Sequence, residues 1–118
     1  MTNTDSPGLS AGGVFAKYLL ILQWSGGTES DFEVLVALED LLLSSLADGD
    51  GVVDGHDFGA GEMNIFVQTD RPVEAFQHAM AALGSHPQRD EVRAAYREVD
   101  GERFVILWPK GLETFTVA

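Results

Sequence analysis

Apolar positions along the chain follow two different periods. Lys17-Tyr-Leu-Leu-Ile-Leu-Gln-Trp24 is a short apolar run closed by Ser25-Gly26-Gly27, the pattern of a strand buried on both faces. From Phe32 to Leu46 the spacing becomes helical. Phe32, Leu35, Leu38, Leu42 and Leu46 share one stripe, and Ser30 followed by Glu33 predicts a capping box at the helix start. Val34, Val36, Leu41 and Leu43 fall outside that stripe. So wide an apolar arc predicts a second buried contact, with a dimer interface or the packed N-terminal tail.

Gly51-Val-Val-Asp-Gly-His-Asp-Phe58 alternates imperfectly, as a short edge strand does, and Phe58-Gly-Ala-Gly61 turns the chain. Glu62-Met-Asn-Ile-Phe-Val-Gln-Thr69 is a second apolar strand. Asp70 is the expected N-cap of the next helix, with Pro72 in its first turn. Val73, Phe76, Met80 and Leu83 form the buried face of that helix, and Gly84 stops it. Val92 to Val99 and Arg103 to Trp108 read as strands joined by a two-residue turn at Asp100-Gly101, with a closing tail from Lys110.

The resulting order is β-α-β-β-α-β-β, and the first and third strands are the most apolar. Those two positions are the central pair of a ferredoxin-like sheet. The chain is therefore expected to be α+β, a ferredoxin-like two-layer sandwich of order βαββαβ plus an extra C-terminal hairpin strand. Residues 1–14 are expected to form a flexible N-terminal tail and residues 15–118 a single domain.

Composition narrows the chemistry. A length of 118 residues supports one hydrophobic core. The absence of cysteine excludes disulfides, thiolate catalysis, Cys-ligated zinc and iron–sulfur clusters. No apolar run approaches the roughly 20 residues of a spanning helix, and the first residues lack the basic and apolar regions of a signal peptide. No membrane association and a cytoplasmic location are the expectation.

Charge changes the picture more. The chain has 19 acidic and 7 basic residues, a formal net charge of −12. Between Lys17 and Arg71 there is no Lys or Arg, whereas Glu29, Asp31, Glu33, Glu39, Asp40, Asp48, Asp50, Asp54, Asp57, Glu62 and Asp70 all lie there. From Arg71 onward the two signs nearly balance. Nucleic-acid binding needs Lys and Arg to neutralise phosphates, so it is excluded as an expectation, and a basic protein partner is favoured.

Candidate chemistry concentrates in the acidic stretch. Asp48, Asp50, Gly51, Val53, Asp54 and Asp57 overlie a calcium-binding EF-hand loop, but Leu46 stands where the first carboxylate belongs and Asp57 where a bidentate Glu belongs. A strand pattern, not a helix, follows. A solvated acidic turn is the better reading, and no metal or cofactor is assigned. His56 beside Asp57 and Glu62 has the composition of an acid/base group, but no nucleophile stands at a recognisable spacing, so no catalytic residue is assigned. Gly55, Gly59 and Gly61 lack the Lys and the helix of a phosphate loop and read as turn residues.

The stretch Val53-Asp-Gly-His-Asp-Phe-Gly-Ala-Gly-Glu-Met-Asn-Ile-Phe-Val-Gln-Thr-Asp70 resembles a family of small bacterial proteins of uncharacterised function. The resemblance implies no activity and no catalytic residues. In acidity and size the chain is similar to immunity proteins, which neutralise basic toxins.

Two readings follow. In the first, Asp48, Asp50, Asp54, His56, Asp57 and Glu62 form the docking surface of an interaction module for a basic protein. In the second, the chain is a homodimeric enzyme or ligand-binding domain with a pocket near the Gly-rich turn, lined by His56, Glu62 and a tryptophan.

Overall fold

Five consecutive residues of the first strand, Leu20 to Trp24, are buried. Alternate side chains of a strand point to opposite faces, so this strand is covered on both. It lies at the centre of the sheet. The computed structural model describes residues 16–46 and 48–118; the expected N-terminal tail, residues 1–14, lies outside them. The elements are β1 (Tyr18–Ser25), α1 (Glu29–Ser45), β2 (Val52–Gly59), β3 (Glu62–Thr69), α2 (Pro72–Leu83), β4 (Arg93–Glu98) and β5 (Val105–Trp108). Single 3-10 turns at Asp48–Asp50 and Pro87–Glu91 join them.

The sheet has the order β2-β3-β1-β4-β5, and every neighbouring pair is antiparallel. Both helices cover one face, giving a two-layer α+β sandwich. Leu20, Leu22 and Trp24 of β1, Met63, Ile65 and Val67 of β3, and Ala94 of β4 meet Leu35, Leu38 and Leu42 of α1 and Ala75, Ala79, Met80 and Leu83 of α2. Helix α1 packs over β2 and β3, whereas α2 packs over β1.

The helix ends depart from the expected caps. Helix α1 is capped by Thr28 and Asp31, not by Ser30 and Glu33. Thr28 is extended, its Oγ1 accepts from the Asp31 amide at 3.1 Å, and Asp31 Oδ2 accepts from the Gly27 and Thr28 amides at 2.9 and 3.0 Å. The amides of Thr28 and Gly27, with the Thr28 hydroxyl, hold the Asp31 carboxyl below the usual aspartate range. Helix α2 has Arg71 as its N-cap, without a side-chain cap bond. Asp70 Oδ1 is instead occupied by the Lys17 amide at 2.9 Å.

The buried face of α2 is also rotated from the expected stripe. Pro72, Ala75, Ala79, Met80 and Leu83 are buried, and Val73 is 41 % exposed. Alanines at 75 and 79 bring the helix close to β1, which a face of larger side chains prevents. On α1, Val34 and Leu41 pack against the core, while Leu43 stays 56 % exposed.

Turns are set by backbone geometry that few residues accept. Ala60 and Gly61 have φ of 53° and 79°, the two positive values of a type I′ hairpin between β2 and β3. Gly51 has φ 129°, and a Cβ there would stand 2.3 Å from the carbonyl oxygen of Gln68; only glycine fits. The final hairpin does not close on Asp100-Gly101. Pairing stops at Tyr96 and Val105, and in the connection beyond it Arg97 Nη1 donates to the carbonyls of Glu98, Val99 and Gly101.

Residues after Lys110 are not a free tail. They run along the face of the sheet opposite the helices, where Phe115 is buried with Ile21 and Ala95 against Leu19, Phe66, Phe104, Ile106, Leu112 and Val117. This second, smaller core explains why β1 is buried on both sides.

Candidate functional site

The acidic stretch does not fold into a single patch. Asp48 opens the 3-10 turn after α1. Asp50 closes that turn and is buried, with its carboxylate bonded to Nδ1 of His78 on α2. Asp54 lies at a register shift between Val53 and Gly55, where β2 bulges against β3. Such a bulge on an edge strand obstructs pairing with a further strand. The 3-10 turn and the strand that follows it place Asp54 and Asp57 outside any loop wrapped around an ion. Among the described residues, no three His, Asp or Glu side chains gather as a metal site.

Neighbours in a strand point to opposite faces, and this separates His56 from Asp57. His56 stands opposite Ile65, on the helix side, and its Nδ1 meets Glu39 Oε1 of α1 at 3.0 Å. Phe32 packs edge-on against both the His56 ring and Phe58, with centroids 5.8 and 5.3 Å away. Asp57 stands opposite Asn64, on the other face. Glu62 is on that other face too, accepting from Gln23 Nε2 at 3.3 Å and from the Ala118 amide at 3.1 Å. The expected grouping of His56 with Asp57 and Glu62 is therefore absent. A pocket of His56, Glu62 and a tryptophan fails in the same way, since Trp24 is fully buried with Nε1 donating to the Gln88 carbonyl at 2.8 Å. Trp108 lies near the opposite edge of the sheet, beside a cavity of about 350 Å³ bounded by Phe76, Gln77, Met80, Ala81 and Arg89.

Strand order converts the charge asymmetry of the sequence into a lateral one. Edge strand β2, with Asp54 and Asp57 exposed, lies two strands from β1 on one side. Over this half sits α1, with Glu29, Glu33 and Asp40 exposed. Arg93 and Arg97 of β4 and Arg103 in the loop before β5 lie on the other side of β1. Arg71 pairs with Glu74 at 3.7 Å, at the start of α2. Two acidic groups of the α1–β2 half meet histidines, Glu39 with His56 and Asp50 with His78.

A second polar group was not legible as a site in the sequence. Gln23 and Asn64, in the two adjacent strands β1 and β3, are 3 % and 1 % exposed. Gln23 Nε2 donates to Asn64 Oδ1 at 3.0 Å and to the Thr116 carbonyl at 2.9 Å, and Gln23 Oε1 accepts from Arg93 Nε at 2.9 Å. These bonds fix both amide orientations. Among the described residues, Asn64 Nδ2 is buried with no hydrogen-bond partner. The available signal was a lone polar residue inside each apolar run, Gln23 and Asn64; their partners lie 41 to 93 residues away along the chain.

Comparison with protein-family models, with curated proteins and with solved structures gives no match to this chain.

Proposed function

We propose that the chain is a cytoplasmic, ferredoxin-like interaction module that docks a basic protein partner through the half formed by α1 and β2. The antiparallel order with two helices on one face supports the ferredoxin-like reading. The observation that carries the docking proposal is the exposed set Glu29, Glu33, Asp40, Asp54 and Asp57, spread over α1 and the adjoining edge strand without one Lys or Arg between residues 17 and 71. Charge left unneutralised costs self-repulsion in the free protein, and a partner of opposite sign relieves it while steering association.

The Asp54 bulge disfavours an added strand, so side chains and not the β2 backbone make the contact. Of the six residues first expected there, Asp54 and Asp57 are the exposed carboxylates of β2, and the side chain of Asp48 lies outside the described ones. Asp50 is buried against His78, the exposed His56 meets Glu39, and Glu62 joins the polar group on the far face. Neutralisation of a basic toxin, the role of immunity proteins, is one form of this activity.

The test is capture from native lysate at low salt on wild-type chain and on the double variant Asp54→Lys/Asp57→Lys. A basic protein retained by the wild type, released by salt and lost on the variant supports the proposal. Equal retention by both baits contradicts it.

A further inference from the structure

The face of the sheet opposite the helices is covered by a segment that is held as a ligand is held. After the turn in which the Leu112 amide donates to the Pro109 carbonyl at 3.1 Å, residues 112–118 form no strand and join no ladder. Two of their main-chain groups are met by side chains of the sheet: Gln23 Nε2 donates to the Thr116 carbonyl, and Glu62 Oε1 accepts the Ala118 amide. Between them, Phe115 and Val117 turn alternate apolar side chains into the second core. Phe115 is 8 % exposed and stacks at a tilt on Phe104, with centroids 5.1 Å apart. With alternate side chains in apolar recesses and two main-chain groups bonded by side chains, the segment is held by contacts that a separate extended peptide of the same pattern would repeat.

The fit is incomplete at one point. Asn64 Nδ2 remains a buried donor without a partner among the described residues while the segment is in place. Its orientation is not adjustable, because Oδ1 is bound by Gln23 Nε2, and Gln23 is in turn fixed by Arg93. Buried donors in folded proteins are satisfied with few exceptions. An occupant that brings a carbonyl or carboxylate oxygen to Asn64 would complete a set that residues 112–118 leave open.

We propose that this face is a groove for an extended peptide of aromatic-x-aliphatic pattern, that residues 112–118 occupy it as a built-in competitor, and that a partner peptide with an acceptor facing Asn64 displaces them. The groove adjoins the acidic half at Asp57, which stands opposite Asn64. It uses residues of β1, β3 and β4 on the face away from α1.

The probe is a fluorescein-labelled synthetic peptide with the sequence of residues 111–118, titrated against the full chain, with folding followed by circular dichroism. The Phe115→Ala chain, whose own segment is weakened, is expected to bind it saturably and at least ten-fold more tightly than the wild type does. The same peptide with alanine in place of phenylalanine is expected to bind neither chain. Should the Phe115→Ala chain fail to fold, Val117→Ala serves as the milder release of the segment, with the same expectation at a smaller ratio. Absence of binding to a folded variant overturns the proposal, as does equal binding to variant and wild type, which would show that residues 112–118 do not compete for the face.

Discussion

Replacement of Asn64 by leucine is expected to make the protein more stable, an unusual outcome for a polar residue removed from the middle of a strand. Asn64 is buried at 1 % exposure and contributes one accepted bond, from Gln23 Nε2 at 3.0 Å, against one donor, Nδ2, unpaired among the described residues. Leaving a buried donor unsatisfied costs about 1–3 kcal/mol, and the lost bond is worth about 0.5–1.5 kcal/mol. Gln23 Nε2 still has the Thr116 carbonyl and Glu62 Oε1 for its two hydrogens, so the substitution creates no new orphan. Leucine also adds apolar surface beside Phe66 and the second core. The net effect is a gain of about 1 kcal/mol, a rise of roughly 4 °C in Tm for a domain of this size. Urea unfolding of both proteins measures it, with an unchanged m-value required for the comparison. A loss of 1 kcal/mol or more would refute the reasoning, because it would mean that Nδ2 is bonded in solution, for example by an ordered water.

Other substitutions test separate parts of the fold. Thr28→Ala removes the cap of α1 and is expected to cost about 1 kcal/mol by thermal or urea unfolding, whereas Ser30→Ala is expected to be near neutral. The Asp31 carboxyl is held below its ordinary value by the Thr28 and Gly27 amides. Its contribution is therefore present above the unfolded-state pKa and lost as pH falls through the lowered folded value; the stability difference between wild type and Asp31→Asn should shrink as pH falls below about 4. Gly51→Ala meets both a positive φ and the Gln68 carbonyl and is expected to cost about 2 kcal/mol or more. Ala60→Asn places at φ 53° a residue that tolerates the left-handed region, giving the Asn-Gly pair of a type I′ turn, and should gain about 0.5–1 kcal/mol.

Element order was readable because each element carries its own period. The buried run Leu20 to Trp24, the leucine stripe of α1 and the stop at Gly84 are local patterns, and the structure places a strand or helix at each. Finer features depended on geometry that spacing does not carry. Two overlapping capping boxes begin at Thr28 and at Ser30, and the one that closes is the one whose first residue is extended. The face of α2 was misread because alanine carries little hydrophobic weight in a pattern, yet Ala75 and Ala79 are the residues that allow close approach. Residues 112–118 have no periodic signal long enough to reveal that Phe115 is a core residue. The six acidic and histidine positions looked like one site because they are near in sequence. A strand sends His56 and Asp57 to opposite faces, and the turn before it buries Asp50.

The docking proposal is tested most directly by the salt dependence of binding between this chain and a basic protein captured on it, measured by calorimetry for wild type and for Asp54→Lys/Asp57→Lys. Affinity is expected to fall steeply with ionic strength for the wild type, and to be weaker with a shallower slope for the variant. Equal affinity and equal slope for the two chains would contradict docking through the half formed by α1 and β2.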